Sequence, residues 1–360
     1  MNAVCESGVQ ALSKSQLGSM IGAADPNNPI MVGIAAYVAK NVVDGNRAAQ
    51  EWLLDWEEVE LVERSDKVVG MQTHIGLTKK DRKQKGAVKN TPCPSDCTGE
   101  IVYDKDGCFD AAAMCPVHLL QYLRVLWADQ LQVEPKDVKG PLWSDFARFE
   151  DTPKGMTLVT IDDNSPAYAY KDMPKIQFKV MTREEERVSG LTSGLYFEVE
   201  GQPYACHAWG DANHVTARLR ALAVAAQKKA RASGVDTPFG NAFRTRADFK
   251  GVLSSKVMRR SMATATVNGN LAPTRSMERG DWATLSMMLR YVDELEEDDA
   301  FAHKGDNVTD IVIRGKVSGG TTKAALQEVI TRQSAMLVEK DGSSRGSRLC
   351  WLRRTTSFVG

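Results

Sequence analysis

Apolar positions recur at helical spacing through the first part of the chain. Residues 12–65 read as helix in three stretches. Ser13 and Ser15 offer caps ahead of Leu17, Met20 and Ile21, and a second stretch runs from Ile30 through Val43 until Asp44-Gly45-Asn46 interrupts it. The third, residues 47–62, puts Trp52, Leu53, Trp56 and Val59 on one face and keeps Glu57, Glu58, Glu60 and Glu63 on the other. The period then falls to two. Residues 68–75 and 87–90 alternate as strands do, and the polar run LTKKDRKQKG between them predicts a hairpin with a basic tip. Cys115-Pro116 opens another helix, with Val117, Leu119, Leu120, Leu123 and Leu126 along its apolar face.

Residues 141–209 change character: MTLVTIDD, IQFKVMT and GLYFEVEGQPYACHAW are strand-like, separated by turn residues. A long helix follows from Ala212 to about Ser233 and stops at Gly234; residues 236–251 read as loop. Residues 256–267 return to helix, Pro273 begins a short connection, and residues 281–293 predict a further helix. The acidic run DELEEDD reads as a solvated linker, and the tail offers a strand at VTDIVIRG and a helix at TKAALQEVITRQSAML. The expected fold is therefore α+β and mostly helical. It divides into a first half at 1–140, a strand-rich insertion or subdomain at 141–209, a second half at 210–293, and a linker and tail at 294–360.

Composition narrows the function classes. Hydrophobic residues make up 42% and charged residues 26%, which is ordinary globular usage and argues against disorder, a collagen-like repeat or a coiled-coil rod. The 46 Lys and Arg balance the 46 Asp and Glu, so any polyanion site is local. No signal-peptide pattern opens the chain, and no apolar run approaches the roughly 18 residues a membrane helix needs. Seven cysteines, an odd and sparse set, argue against a secreted disulfide framework. The expectation is an intracellular protein with reduced thiols and no membrane partner, in the nucleus if the source is eukaryotic and otherwise in the cytoplasm with DNA. Charge is nevertheless segregated. Lys79, Lys80, Arg82, Lys83, Lys85 and Lys89 face only Asp81, a second basic block runs over 218–260, and acids gather at 44–66 and 293–299. A phosphate-binding face with an acidic far side gives this pattern.

The order of residue types sharpens it. GNRAAQEWLLDWEEVEL, residues 45–61, resembles the first arginine box of the tyrosine recombinase (phage-integrase) family and supplies Arg47, with Gln50 where the family usually has Glu. VVGMQTHIGLTKKDRKQKG resembles the strand-turn-strand that carries the family's catalytic lysine, and Lys79 takes that position best, with Lys80 as the alternative. CPVHLLQYL resembles the Cys-Pro helix of many members. SSKVMRRSMATATVNGN is similar to the His-x-x-Arg-Arg box, with Lys256 at the histidine position and Arg259 at the arginine. GDWATLSMMLRYV matches the closing pattern through Trp282 and Tyr291. The resemblance covers roughly residues 12–293, interrupted by the strand-rich region.

The resemblance implies a DNA strand transferase of mobile-element or viral type, acting in DNA recombination and integration. Attack at phosphorus builds charge on the non-bridging oxygens, which two guanidiniums, implied to be Arg47 and Arg259, would hold bidentately. Trp282 would add an indole N–H and Lys256 further positive charge. Tyr291 would be the nucleophile, forming a 3′-phosphotyrosyl bond, and Lys79 the general acid that protonates the departing 5′ oxygen. No metal or nucleotide cofactor is required. The implied partner is double-stranded DNA, with self-association on it, and Lys80, Arg82, Lys83, Arg218, Arg220 and Arg260 are the expected phosphate contacts. Type IB topoisomerase-like relaxation is the alternative within this chemistry. An inactive DNA-binding remnant is the alternative outside it, favoured by Lys256 and Gln50. Little chain precedes the first box, so the family's amino-terminal DNA clamp has no room; a fragment, compensation by residues 141–209, or weak binding would each account for that. Cys93, Cys97, Cys108 and Cys115, with His118 close by, are a zinc candidate, but their intervals are unlike a paired zinc knuckle and the simpler reading is unpaired thiols in and near a loop.

Overall fold

The computed structural model describes residues 10–291 apart from 53, 66, 77–86, 105–106, 108, 111–114, 132, 154, 161–176, 181–192, 200–201, 209–211, 269–272, 283 and 290; across 145–208 it describes strand backbone. The fold is α+β. Helix α1, Lys14–Ile21, begins with a reciprocal capping box between Ser13 and Gln16. Helix α2, Pro29–Asp44, is capped by Asn28, whose side chain accepts from the backbone of Ile30 and Met31. Nearly every α2 residue is buried, because α1, α4 (Pro116–Leu131), α5 (Ala212–Ala232) and α6 (Val257–Asn268) all pack against it. A helix apolar on all sides requires such a central position.

The third predicted helix ends early. Helix α3 is Ala48–Glu51, and the chain from Trp56 passes through one 3-10 turn into strand β1, Val59–Arg64. Trp56 and Val59, three apart, satisfy a helical reading, but the Trp56 N–H bonds the Gly140 carbonyl and the Leu142 N–H bonds the Leu54 carbonyl. Tertiary backbone pairing has displaced the local helix. Strand β1 pairs antiparallel with β2, Lys67–Ile75, and β2 with β3, Ala87–Pro92, in a three-stranded sheet of order β1-β2-β3. The predicted strand pair is present; its basic tip lies outside the described residues, as does everything beyond 291, including the predicted tail strand and helix.

Strands occupy the 141–209 region as expected: β4 (Ser144–Thr152), β5 (Gly155–Thr160), β6 (Gln177–Val180), β7 (Ser193–Val199) and β8 (Gln202–Ala208) form one antiparallel sheet of order β5-β4-β8-β7-β6. Its first and last strands pair, Ser144 opposite Ala208, so the chain leaves and rejoins the helical body at one place. Trp143 packs edge-on to Tyr37 of α2 there, ring centroids 5.4 Å apart. Gly234, at φ +67, stops α5 as predicted. The predicted loop at 236–251 is pinned by buried Gln227, which donates to the Gly240 and Phe243 carbonyls and accepts from Phe239 N–H.

The last predicted helix is also broken. The connection after Pro273 is itself helical, α7 (Pro273–Arg279), whereas residues 281–293 supply only α8 (Leu285–Leu289) within the described part. Asp281 sits at φ +51, a left-handed turn that Asp tolerates and that ends any helix through it. Among the described residues no helix is long and apolar enough to cross a membrane.

Candidate active site

Gly45 and Gly280 shape the site before any charged group does. Gly45 ends α2 in the left-handed conformation, and a Cβ there would overlap the Met262 side chain. Gly280 stands against the Trp282 ring so closely that a Cβ would overlap it, so the ring can fold back only over glycine. These two turns bring the loop of Arg47 and the loop of Trp282 to the same end of α6. Arg47 ion-pairs with Asp281 at 3.0 Å, and Arg259 of α6 donates to the Gly45 carbonyl at 3.0 Å.

Arg259 is the centre of the cluster. Its guanidinium carbon lies 4.4 Å from the Trp282 ring centroid and 5.5 Å from that of Tyr291, and the two rings are 5.5 Å apart. Burial, then the nearby Arg47 charge, pushes its pKa down to about 10, while Tyr291 and Asp281 act the other way. Two donors here, Arg259 Nε and Trp282 Nε1, are buried and make no hydrogen bond. Buried donors normally find a partner, and an acceptor entering here would meet two that lack one. Tyr291 is half-buried on a small second core formed by Met262, Ala263, Val267, Trp282, Met288 and Leu289. It lies in a turn just after α8, its N–H bonded to the Met288 carbonyl.

Beneath the cluster lies a buried ionic network. Lys40, fully enclosed, donates to Asp44 at 2.9 Å and to Glu51 at 2.8 Å; Asp44 also takes Arg279 at 3.2 Å and the Thr91 hydroxyl, and Asn46 donates to Glu51. Burial opposes ionisation of Asp44, but the Lys40 and Arg279 charges outweigh it and hold its carboxyl below the ordinary range. Burial likewise opposes charge on Lys40, and its two carboxylates overcome this and raise its pKa. The network fixes both ends of the Gly45-Asn46-Arg47 turn. Gln50 serves that turn too, its side chain accepting from Arg47 N–H.

Lys40→Met is accordingly expected to destabilise the fold by about 3–5 kcal/mol, since it strands buried carboxylates; urea unfolding reads the change. The share due to Asp44 is present above the ordinary aspartate range and is lost as pH falls through its depressed folded value.

No protein-family model, curated protein or solved structure matches this chain.

The predicted site residues divide into three groups. Arg47, Arg259, Trp282 and Tyr291 come together. Lys79, Lys80, Arg82 and Lys83 lie outside the described residues. Lys256 is exposed just before α6, Arg218 and Arg260 are buried as Arg259 is, and Arg220 turns its guanidinium to the Leu253 carbonyl at 3.1 and 3.2 Å.

Lys89 was missed. It projects from β3 on the inner side, its ammonium donating to the Arg279 carbonyl and, at 3.4 Å, to that of Asp44. Burial is the main reason its pKa falls to about 8, with Arg279 and Arg259 adding to the fall and Asp44 and Glu51 resisting it. The usual reading of alternation points Val88 inward, yet Val88 is 54% exposed while Thr91, two residues beyond Lys89, is buried. Cys93, Cys97 and Cys115, none of them in a disulfide, converge with His118, their ligand atoms all within 4.8 Å of one another. The set omits Cys108, which lies outside the described residues, and its spacing is Cys-x3-Cys with Cys-x2-His, a pattern that counting Cys108 conceals.

Proposed function

We propose that this chain is a DNA strand transferase of the tyrosine-recombinase type, cutting and rejoining double-stranded DNA through a 3′-phosphotyrosyl intermediate. The carrying observation is the buried Arg259 guanidinium placed against both the Trp282 and Tyr291 rings, with its own Nε and the Trp282 Nε1 making no hydrogen bond. A scissile phosphate is the acceptor this group suits. Arg259 and Arg47 would neutralise charge developing on its non-bridging oxygens, and Trp282 Nε1 would donate to one of them. A phenol is a poor nucleophile until it loses its proton to a base, and the Arg259 guanidinium carbon lies 5.5 Å from the Tyr291 ring centroid. The hydroxyl oxygen then bonds to phosphorus as the bond to the 5′ oxygen breaks, and the leaving oxygen takes a proton. Lys89 fits that acid role, as an ammonium beside Arg259 titrating near neutrality. Lys79, on the basic stretch between β2 and β3, is the other candidate. The enzyme class, the DNA partner, self-association on DNA and a role in integration all rest on this reading.

Relaxation of supercoiled plasmid without added magnesium or nucleotide is the first test; a requirement for either would rule the chemistry out. Lys89→Met is expected to slow cleavage by about 10²–10⁴-fold. A substrate with sulfur in place of the 5′ leaving oxygen should restore the rate, because a thiolate leaves without an acid. If Lys79→Met shows this rescue and Lys89→Met does not, the acid is Lys79. With Lys89 as acid, activity falls as pH rises through about 8. The same shift has an opposite signature in stability: the unfolded lysine holds its proton to a higher pH, so stability rises between about 8 and the ordinary lysine value near 10.4.

A further inference from the structure

We infer that Cys93, Cys97, Cys115 and His118 bind a single structural zinc ion that ties strand β3 to the start of helix α4. The donors are already assembled. Cys97 Sγ is 3.2 Å from His118 Nδ1, and Cys93 Sγ is 3.9 Å from the same nitrogen. Tetrahedral zinc, with bonds of about 2.3 Å to sulfur and 2.0–2.1 Å to nitrogen, spaces its ligand atoms roughly 3.5–3.8 Å apart. These distances bracket that spacing. Cys115 and His118 are buried, Cys93 and Cys97 half-buried, and none of the three thiols is in a disulfide.

The backbone around the sulfurs is arranged for anions. The Gly99 N–H bonds the Cys97 sulfur and the His118 N–H bonds that of Cys115, each favouring thiolate. Cys115 also stands at the amino end of α4, where unpaired N–H groups favour negative charge. A divalent ion would bind the converging sulfurs and the imidazole nitrogen directly. Three thiolates and one imidazole select zinc over harder cations.

Position gives the ion its role. Strand β3 continues into Cys93, whose N–H bonds the Val69 carbonyl at 2.9 Å. The Cys115 carbonyl accepts from Leu119 N–H at 2.9 Å in the first turn of α4. The ion thus clamps the strand bearing Lys89, four residues before Cys93, to a helix packed on α2. It is a positioning device for that strand and touches no reacting atom.

The metal is read independently of DNA chemistry, so failure here and failure of the strand-transfer reading are separate results. Native mass spectrometry of the reduced full chain, purified with zinc present and dialysed against EDTA, is expected to give one zinc ion per chain. Cobalt substitution should produce thiolate-to-metal charge transfer and the visible bands of a tetrahedral site. Cys97→Ser and His118→Ala should lose the ion, and Arg259→Ala should keep it. A reduced wild-type chain that takes up no zinc or cobalt overturns the inference, as does full zinc retention by Cys97→Ser together with His118→Ala. The cobalt spectrum, taken on the unaltered chain, stays decisive even if a variant fails to fold.

Discussion

Tyr291→Phe is expected to abolish covalent capture of DNA and to reduce strand transfer by on the order of 10⁴-fold or more, the scale on which a lost nucleophile is felt. Only the phenolic oxygen is removed. The ring keeps its place against Trp282 and Arg259, so melting should move by no more than the roughly 1 kcal/mol of one hydrogen bond. DNA binding should persist, with affinity falling as salt rises, because phosphate neutralisation resides in the arginines. A Phe variant that still forms a covalent adduct would place the nucleophile elsewhere. One that loses binding and fold together would give Tyr291 a packing role only.

Arg259→Ala is expected to lower the cleavage rate by about 10³-fold, at the upper end for removal of one preorganised donor to an oxyanion. Arg259→Lys should recover little of it. An ammonium cannot fork across two oxygens, and it lies less well against the Trp282 face, 4.4 Å from the guanidinium here. The alanine variant also loses its bond to the Gly45 carbonyl and its contact with two rings, so thermal unfolding must accompany the kinetics. A rate restored fully by Lys would mean that charge alone matters. A rate loss that tracks unfolding would mean that Arg259 acts as a strut.

Much of this was legible in the sequence where a local signal and the tertiary demand agreed. Helix α2 has an Asn-Pro start, a Gly stop and apolar residues on every side, and it became the buried centre. The alternation in β2 and the Cys-Pro start of α4 were equally direct. Misreadings arose where two periods fit the same residues. Trp56 and Val59 suit a helix face and also the approach to a strand, and the backbone bonds from residues 54–56 to 140–142, distant in sequence, decided for the strand.

The candidate site shows the same division. Arg47, Arg259, Trp282 and Tyr291 were identified by residue type and order, and the fold brings them together. Lys89 was hidden by its neighbour, since Val88 is the apolar residue that alternation would bury. The Cys-His cluster was named in the sequence with Cys108 among its members, and intervals counted through that residue conceal the Cys-x3-Cys and Cys-x2-His spacing of the four that converge. Arg218 and Arg260 are buried, which charge along a sequence does not foretell, since it does not say which side of a helix meets water.

The most direct measurement is covalent trapping on a nicked suicide duplex labelled at the scissile phosphate, resolved under denaturing conditions and mapped by peptide mass. The account predicts a phosphate-linked adduct on Tyr291, formed without added magnesium and absent from Tyr291→Phe. Labelled phosphate on any other residue, or no adduct from a folded chain that binds the duplex, would contradict it.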